Sequence, residues 1–161
     1  MAKTILKTKQ PPKLTTGRKI PAASRAPGKS PHGRSSQRFV VSHPNEADFK
    51  VGLRAYAKYR DLGISQATGG LAQAHVIRFV PPFRAEQVSQ LHYHDVEFQM
   101  IYVLKGWIKS EFEGEGVHTF HAGSCWIQPP RIKHTVLGYS DDCEVLEIIL
   151  PADFKTVTLA K

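Results

Sequence analysis

Short apolar runs, each ended by a Gly or Pro turn signal, dominate the sequence from residue 74 onward. Seven such runs cover residues 74–80, 98–104, 107–112, 117–120, 124–128, 134–137 and 144–150. They recur at a spacing of about 8–12 residues, and no long helical pattern separates them. This punctuation predicts an all-β fold built as an antiparallel sandwich or barrel.

The region before these runs is less regular. Residues 39–41 are apolar, and residues 43–46 resemble a turn. Residues 53–60 alternate apolar with mostly polar side chains, which favours a half-buried strand. A helix competes there, because Ala, Leu, Lys and Arg are good helix formers. We therefore expect the folded domain to span residues 39–161.

The formal charge of +8 belongs to residues 1–38 and not to this domain. That segment holds ten Lys and Arg residues, five prolines and no acidic residue, which leaves 12 bases and 14 acids in residues 39–161. A segment this basic and this poor in apolar residues cannot bury enough surface to offset the entropy lost on ordering. Residues 1–38 are therefore predicted to be a disordered basic tail.

Three functions of such a tail compete with a merely solvated one. An acid-free leader with Arg and Ser resembles an organellar transit peptide, although its prolines would interrupt an amphipathic helix. A basic arm could also bind nucleic acid or anionic lipid. The tail lacks interleaved aromatic residues, so nucleic-acid binding through base stacking is not expected.

Compartment and membrane association follow from two absences in the sequence. No run approaches the roughly 18 apolar residues of a membrane span, and no apolar signal region follows the first residues. Cys125 and Cys143 are too few for a disulfide framework, which indicates reduced thiols. We therefore expect a cytoplasmic protein without a membrane partner.

Two histidines one residue apart, His92 and His94, are the first sign of a chemical site. On a strand this spacing points both rings to the same face, with Tyr93 on the other. A lone pair of this kind is not specific, because a chain with eight histidines can form one by chance.

Two spaced motifs give the pair its context. The first is His92-x-His94-x4-Gln99-x6-Gly106, and the second is Gly123-x5-Pro129-x4-His134. Together they resemble the two signature motifs of the cupin superfamily, in the spacing of its small single-domain cupin 2 or conserved barrel members. The resemblance covers roughly residues 70–150. It implies a double-stranded β-helix, or jelly-roll, barrel around a pocket.

The resemblance also implies a metal centre held by His92, His94, Gln99 and His134. Imidazole and amide ligands suit a divalent transition metal such as Fe, Ni, Zn, Cu or Mn. The family's first motif usually carries Glu where this chain has Gln99, so an ion there would keep its full charge and would have a poor base beside it. Two further departures, Arg131 in place of a common Gly and Gly138 in place of a common Asn, concern turns.

Other side chains leave alternatives open. Asp95 or Glu97 could be the fourth ligand, although a solvated carboxylate or a partner that orients a histidine is the simpler expectation. His75 could face the pocket or serve as a structural histidine.

The remaining candidates have default roles outside the site. Tyr102 and Trp107 are expected in the core, and His118 and His121 are expected to be exposed. No organic cofactor motif or catalytic triad is present, so the catalytic residues stay unassigned.

A small-molecule enzyme is the leading functional expectation. A His-rich site of this family favours dioxygenase-type oxidoreductase chemistry on a chelating enol, diketone or phenol. A non-oxidative isomerase, cyclase or lyase that uses the ion as a Lewis acid is the alternative, and a non-enzymatic small-molecule binding protein is the rival class. Exposed strand edges in a short barrel further suggest a homodimer.

Overall fold

Two antiparallel β-sheets make up the fold in the computed structural model, which describes residues 37–52 and 54–159. The strands are β1 (Lys50–Val51), β2 (Ala57–Asp61), β3 (Gln73–Phe79), β4 (His92–Asp95), β5 (Phe98–Lys105), β6 (Trp107–Phe112), β7 (Gly116–His121), β8 (Cys125–Ile127), β9 (His134–Tyr139), β10 (Glu144–Leu150) and β11 (Lys155–Thr158). Two short helices, α1 (Ile64–Thr68) and α2 (Ala85–Val88), and a 3₁₀ helix at Glu46–Asp48 complete it. The predicted all-β jelly-roll architecture is confirmed.

The first sheet has the order β1-β2-β3-β10-β5-β8, and the second has the order β11-β4-β9-β6-β7. Strand alternation points one side chain in two inward. In β6, for example, Ile108, Ser110 and Phe112 are buried, whereas Lys109 and Glu111 are exposed. The core therefore lies between the sheets, where Val103, Val145 and Tyr139 belong to one buried cluster.

The seven runs expected from the sequence are all strands, with ends that move by two residues or fewer. The strand expected at residues 53–60 begins later, at Ala57, because residues 54–56 form a bend and turn. The short edge strands β1 and β11 and both helices were not expected. Each is two to five residues long, which is too short for a periodic pattern to stand out.

Only the last residues of the tail expected at residues 1–38 are described by the structure. Arg38 donates its backbone N–H to the carbonyl of Ala67 at 2.8 Å, so this residue already contacts α1. The rest of the predicted tail, residues 1–36, lies outside the described residues. Cys125 and Cys143 are free thiols, as expected. Within residues 37–52 and 54–159, no helix is both long and apolar enough to span a membrane.

Arg131 explains why a glycine is common at its position in the resembling motif. Its φ is 63°, in the left-handed region that glycine adopts most easily. The strained residue is held from both ends, because its N–H donates to His94 O at 3.1 Å and its Nε donates to Asp95 Oδ1 at 2.9 Å. The second of these contacts ties Asp95 to the turn and away from the pocket.

Gly106 and Gly114 give a matched test of the first motif. Both have positive φ, 68° and 81°, so alanine is strained at either position by about 1–2 kcal/mol. At Gly106 a Cβ would also overlap Ser140 Oγ and lie 3.1 Å from Cys143 Cα, whereas nothing lies within 4 Å at Gly114. We expect Gly106→Ala to lower the free energy of unfolding by about 1–3 kcal/mol more than Gly114→Ala in urea denaturation. Equal losses would show that Gly106 is required for its φ alone.

Candidate metal centre

His92, His94 and His134 form one cluster between the sheets. The first two come from β4 and the third from β9, where His92 and His134 are direct cross-strand partners. One ligand nitrogen from each ring lies within 4.8 Å of the others. His92 and His134 are 4% and 5% exposed, so these rings are removed from bulk water. The structure thus brings three of the four predicted ligands together.

The other ring nitrogen of each histidine is held by the protein. Nδ1 of His92 donates to Gln90 O at 2.7 Å, and Nδ1 of His134 donates to Ile132 O at 3.0 Å. Because a carbonyl oxygen can only accept, both rings keep the proton on Nδ1 and a lone pair on Nε2. In His134 this lone pair accepts from Gln128 Nε2 at 3.2 Å, a hydrogen bond that an ion on this nitrogen would replace. Nδ1 of His94 and the Thr156 hydroxyl of β11 share a hydrogen bond at 2.9 Å. Such contacts orient metal-binding imidazoles.

The electrostatics of the cluster favour neutral rings. Burial lowers the pKa of His92 to about 3 and that of His94 to about 4, and it also lowers the pKa of His134. The charge of Arg54 adds to the lowering at all three rings. Neutral imidazoles with converging lone pairs are the form that binds metal, so this donor set fits a divalent transition metal.

Gln99, the fourth predicted ligand, lines the same cavity from β5 of the opposite sheet and is 2% exposed. Its Nε2 donates to Glu147 Oε1 at 2.6 Å, and its Oε1 accepts from Gln128 Nε2 at 3.1 Å. The neighbouring carboxylate accepts only, so it fixes which end of the amide faces it. Metal binding by Gln99 stays a prediction. The second lone pair of its Oε1 is the one that would bind the ion.

Glu147 of β10 supplies the carboxylate that the first motif lacks. Its Oε2 accepts from His75 Nε2 at 2.5 Å, and its side chain is only 12% exposed. Burial by itself raises the pKa of this carboxyl, but the hydrogen bonds and charges of His75, Gln99 and His94 outweigh it and hold the pKa below its ordinary value. A negative charge therefore faces the histidine cluster.

The sequence carried a signal for Glu147 that the spacing argument did not use. Val145, Glu147 and Ile149 occupy alternate positions of one strand, and the two apolar residues are 2% and 0% exposed. A carboxylate in phase with two core residues must face the interior. Asp95 and Glu97 were the candidate carboxylate ligands, because they lie next to the His pair in the chain.

Two connected spaces adjoin the cluster. The inner cavity has a volume of about 110 Å³ and is lined by the three histidines, Gln99 and Glu147 among others. An outer cleft of about 430 Å³ lies beside it. The residues that line both are Arg54, Tyr59, His94 and Glu147. The cleft and the inner cavity are thus neighbours that share His94 and Glu147 in their walls.

The alternative carboxylate ligands lie elsewhere. Asp95 is bound to Arg131, and Glu97 is exposed, with its N–H donating to Leu150 O. Neither belongs to the cluster of possible ligands. His75 forms a hydrogen bond with Glu147 and also lines the outer cleft.

The remaining candidates behave as ordinary side chains. The core position expected for Tyr102 is wrong: it is 38% exposed, because it alternates along β5 with the buried Ile101 and Val103. Trp107 is half-buried, and neither aromatic residue lines the inner cavity. His118 and His121 are exposed on β7, as expected.

Comparison with known proteins agrees with this geometry. The cupin domain family model matches residues 83–149, which contain both motifs, the three histidines and Glu147. The resemblance seen in the two motifs is thereby confirmed. No curated protein matches the sequence significantly.

Solved structures share the fold at low identity. KdgF from a Halomonas species is 19% identical with a TM-score of 0.54, over 71% of this chain and 94% of that one. The polyketide cyclase RemF from Streptomyces resistomycificus is 16% identical with a TM-score of 0.58, over 75% and 87%. Oxalate decarboxylase from Lactobacillus farciminis is 18% identical with a TM-score of 0.55, over 70% of this chain and 34% of that one.

Removal of one imidazole tests the cluster. We expect His134→Ala to weaken Zn²⁺ binding by more than about 100-fold, because the second sheet then offers two nitrogens instead of three. His118→Ala is the matched control, since that ring is exposed and lies 3.1 Å from Glu115 O. Metal content after dialysis, measured by mass spectrometry, separates the two. Equal zinc in both variants would contradict the assignment.

Proposed function

We propose that this protein is a metal-dependent enzyme that moves a proton at the carbon beside a carbonyl group of a small chelating substrate, in a non-oxidative isomerisation or cyclisation. His92, His94 and His134 hold the ion, with Gln99 as the fourth ligand. The observation that carries the proposal is the Glu147 carboxylate, which lies in the same cavity as the three histidines.

A divalent ion held there would act as a Lewis acid that polarises the substrate carbonyl. The protein must then supply a base near that carbonyl, and an amide cannot serve. Glu147 is the carboxylate that accepts from Gln99, and it lines the inner cavity together with His94. It is therefore positioned to receive the proton.

The hydrogen bonds of Glu147 keep it poised for that role. Each carboxylate oxygen has two lone pairs and accepts one hydrogen bond, Oε1 from Gln99 and Oε2 from His75. A second lone pair on Oε1 remains to take the proton. His75 stabilises the ionised form and fixes the carboxyl plane, as the orienting partner of a general base does.

The inner cavity restricts what can react there. At about 110 Å³ it admits a few non-hydrogen atoms, so the reacting end of a substrate enters while the rest stays in the outer cleft. Ile101 and Ile108 are apolar walls of this space and would exclude water from the reacting carbon. A small or slender carbonyl compound fits this division.

One expectation from the sequence stands beside this proposal. Dioxygenase chemistry would start from the same chelated enol but would consume oxygen. It remains a prediction, and a measurement of oxygen uptake distinguishes it from the non-oxidative reaction. Proteins of the same fold named as a polyketide cyclase and an oxalate decarboxylase show that the scaffold hosts other reactions, but likeness at these identities concerns the fold alone.

Replacement of Glu147 by its isosteric amide tests the base directly. We expect Glu147→Gln to slow α-proton exchange by about 10²–10⁴-fold, since general base catalysis contributes that much. The assay follows deuterium uptake from D₂O by NMR with metal-loaded protein and a panel of 2-hydroxy ketones and 1,3-diketones. An oxygen electrode runs in parallel.

Glu144→Gln is the control on the same strand, because Glu144 binds Arg78 and not the cavity. It should exchange protons at the wild-type rate. Exchange that survives in Glu147→Gln, or oxygen uptake in proportion to substrate loss, would contradict the proposal.

The homodimer and the cytoplasmic location expected from the sequence also remain proposals. The edge strands of the two sheets are β1, β8, β7 and β11. Exposed apolar side chains occur on three of them, at Val51 of β1, which is 71% exposed, and at Val117 of β7 and Ile127 of β8, which are each 51% exposed. A second copy that covers one of these edges would remove its exposed apolar side chain from water.

A further inference from the structure

Arg54 is a half-buried cation at the junction of the inner cavity and the outer cleft. Its Nη1 donates to the Tyr56 hydroxyl at 2.5 Å. Within residues 37–52 and 54–159, no carboxylate forms an ion pair with it, whereas Arg78 binds both Glu46 and Glu144. A guanidinium has five donors and this contact uses one of them, so donors remain for a ligand in these spaces.

Arg54 lines the inner cavity together with all three imidazoles. Glu147, the carboxylate of the same cavity, is already hydrogen-bonded to His75 and Gln99. With a divalent ion on the histidines, Arg54 and the ion would carry three positive charges against the one negative charge of Glu147. An excess of one sign in a partly buried space is costly unless a further anion joins it.

We propose that Arg54 binds a carboxylate of the substrate, so that the enzyme acts on carbonyl compounds that are also carboxylic acids. This inference rests on the proposed function for the chelating carbonyl and adds the substrate class. A planar guanidinium matches a carboxylate in two parallel hydrogen bonds, and partial burial strengthens them. The carbonyl end would face the histidines while the acid end stays at the mouth of the cavity.

The outer cleft sharpens this selection. Asp48 and Asp61 line it together with Lys50, whose Nζ donates to Ala47 O at 2.7 Å. With acids on its outer wall, the cleft as a whole does not collect anions. The attraction is confined to its inner end, where Arg54 lies, so the acid group of the substrate must reach that end.

A pair of probes that differ by one carboxylate tests the inference. 2,4-Dioxopentanoate and 2,4-pentanedione carry the same chelating diketone, and only the first is an acid. We expect zinc-loaded wild-type protein to bind the acid about 10–100-fold more tightly than the neutral diketone by calorimetry, since a hydrogen bond to a charged group contributes on that scale. Arg54→Ala should lose this preference and keep its affinity for the diketone.

Matched variants make the result specific. Arg84→Ala removes an exposed arginine outside both spaces and should keep the preference. Arg54→Gln removes the charge with less loss of packing and should also abolish it, so a fold defect in the alanine variant cannot hide the effect. Circular dichroism and zinc content establish that each variant is folded and loaded.

Two outcomes would overturn the proposal: equal affinity of the wild type for the two probes, or an unchanged preference in Arg54→Gln. Neither depends on catalysis, because the probes are compared by binding. If instead Glu147→Gln keeps full proton exchange while Arg54→Gln loses the acid preference, the proposed reaction fails and the carboxylate site stands.

Discussion

The hydrogen bond from the Gln99 amide to the Glu147 carboxylate is the contact around which the cavity is arranged. The carboxylate lies on β10, next to the strand that carries position 99, and the two side chains meet at 2.6 Å. Position 99 must therefore donate, which an amide does and a carboxylate does not. Together with His75, the Gln99 amide stabilises the ionised form of the buried Glu147 and keeps the pKa of its carboxyl below the ordinary value.

A directed chain of hydrogen bonds extends from this contact. Trp126 donates to Gln128, Gln128 donates to Gln99, and Gln99 donates to Glu147, which also accepts from His75. Every donor in the chain meets an acceptor, so a buried polar network forms without an unpaired group among these side chains. The imidazoles come from one sheet and the carboxylate from the other. The distance between the sheets therefore sets how close the carboxylate and the imidazoles lie.

Features of the fold and the site could be predicted from the sequence where the residues that form them lie close together in the chain. His92 and His94 lie on one strand, and His134 is placed by glycine and proline turns of fixed spacing, so two local patterns predicted the cluster and the fold. The positions of Glu147 and Arg54 in the cavity were not predicted, because they depend on pairing between strands that are far apart in the chain. β10 pairs with β3 and β5, which brings Glu147 beside residues 48 and 72 positions away, and a bend at residues 54–56 sets Arg54.

The most direct measurement compares the stability of metal-free Gln99→Glu with that of the double variant Gln99→Glu and Glu147→Gln in urea denaturation at neutral pH. If Glu147 is the carboxylate of this cavity, the single change places two anions in contact, and it should cost about 1.5–3 kcal/mol. The double variant restores a donor and an acceptor in exchanged positions and should recover most of that loss. A single variant as stable as the wild type would contradict the account, because Glu147 would then not require a donor at position 99.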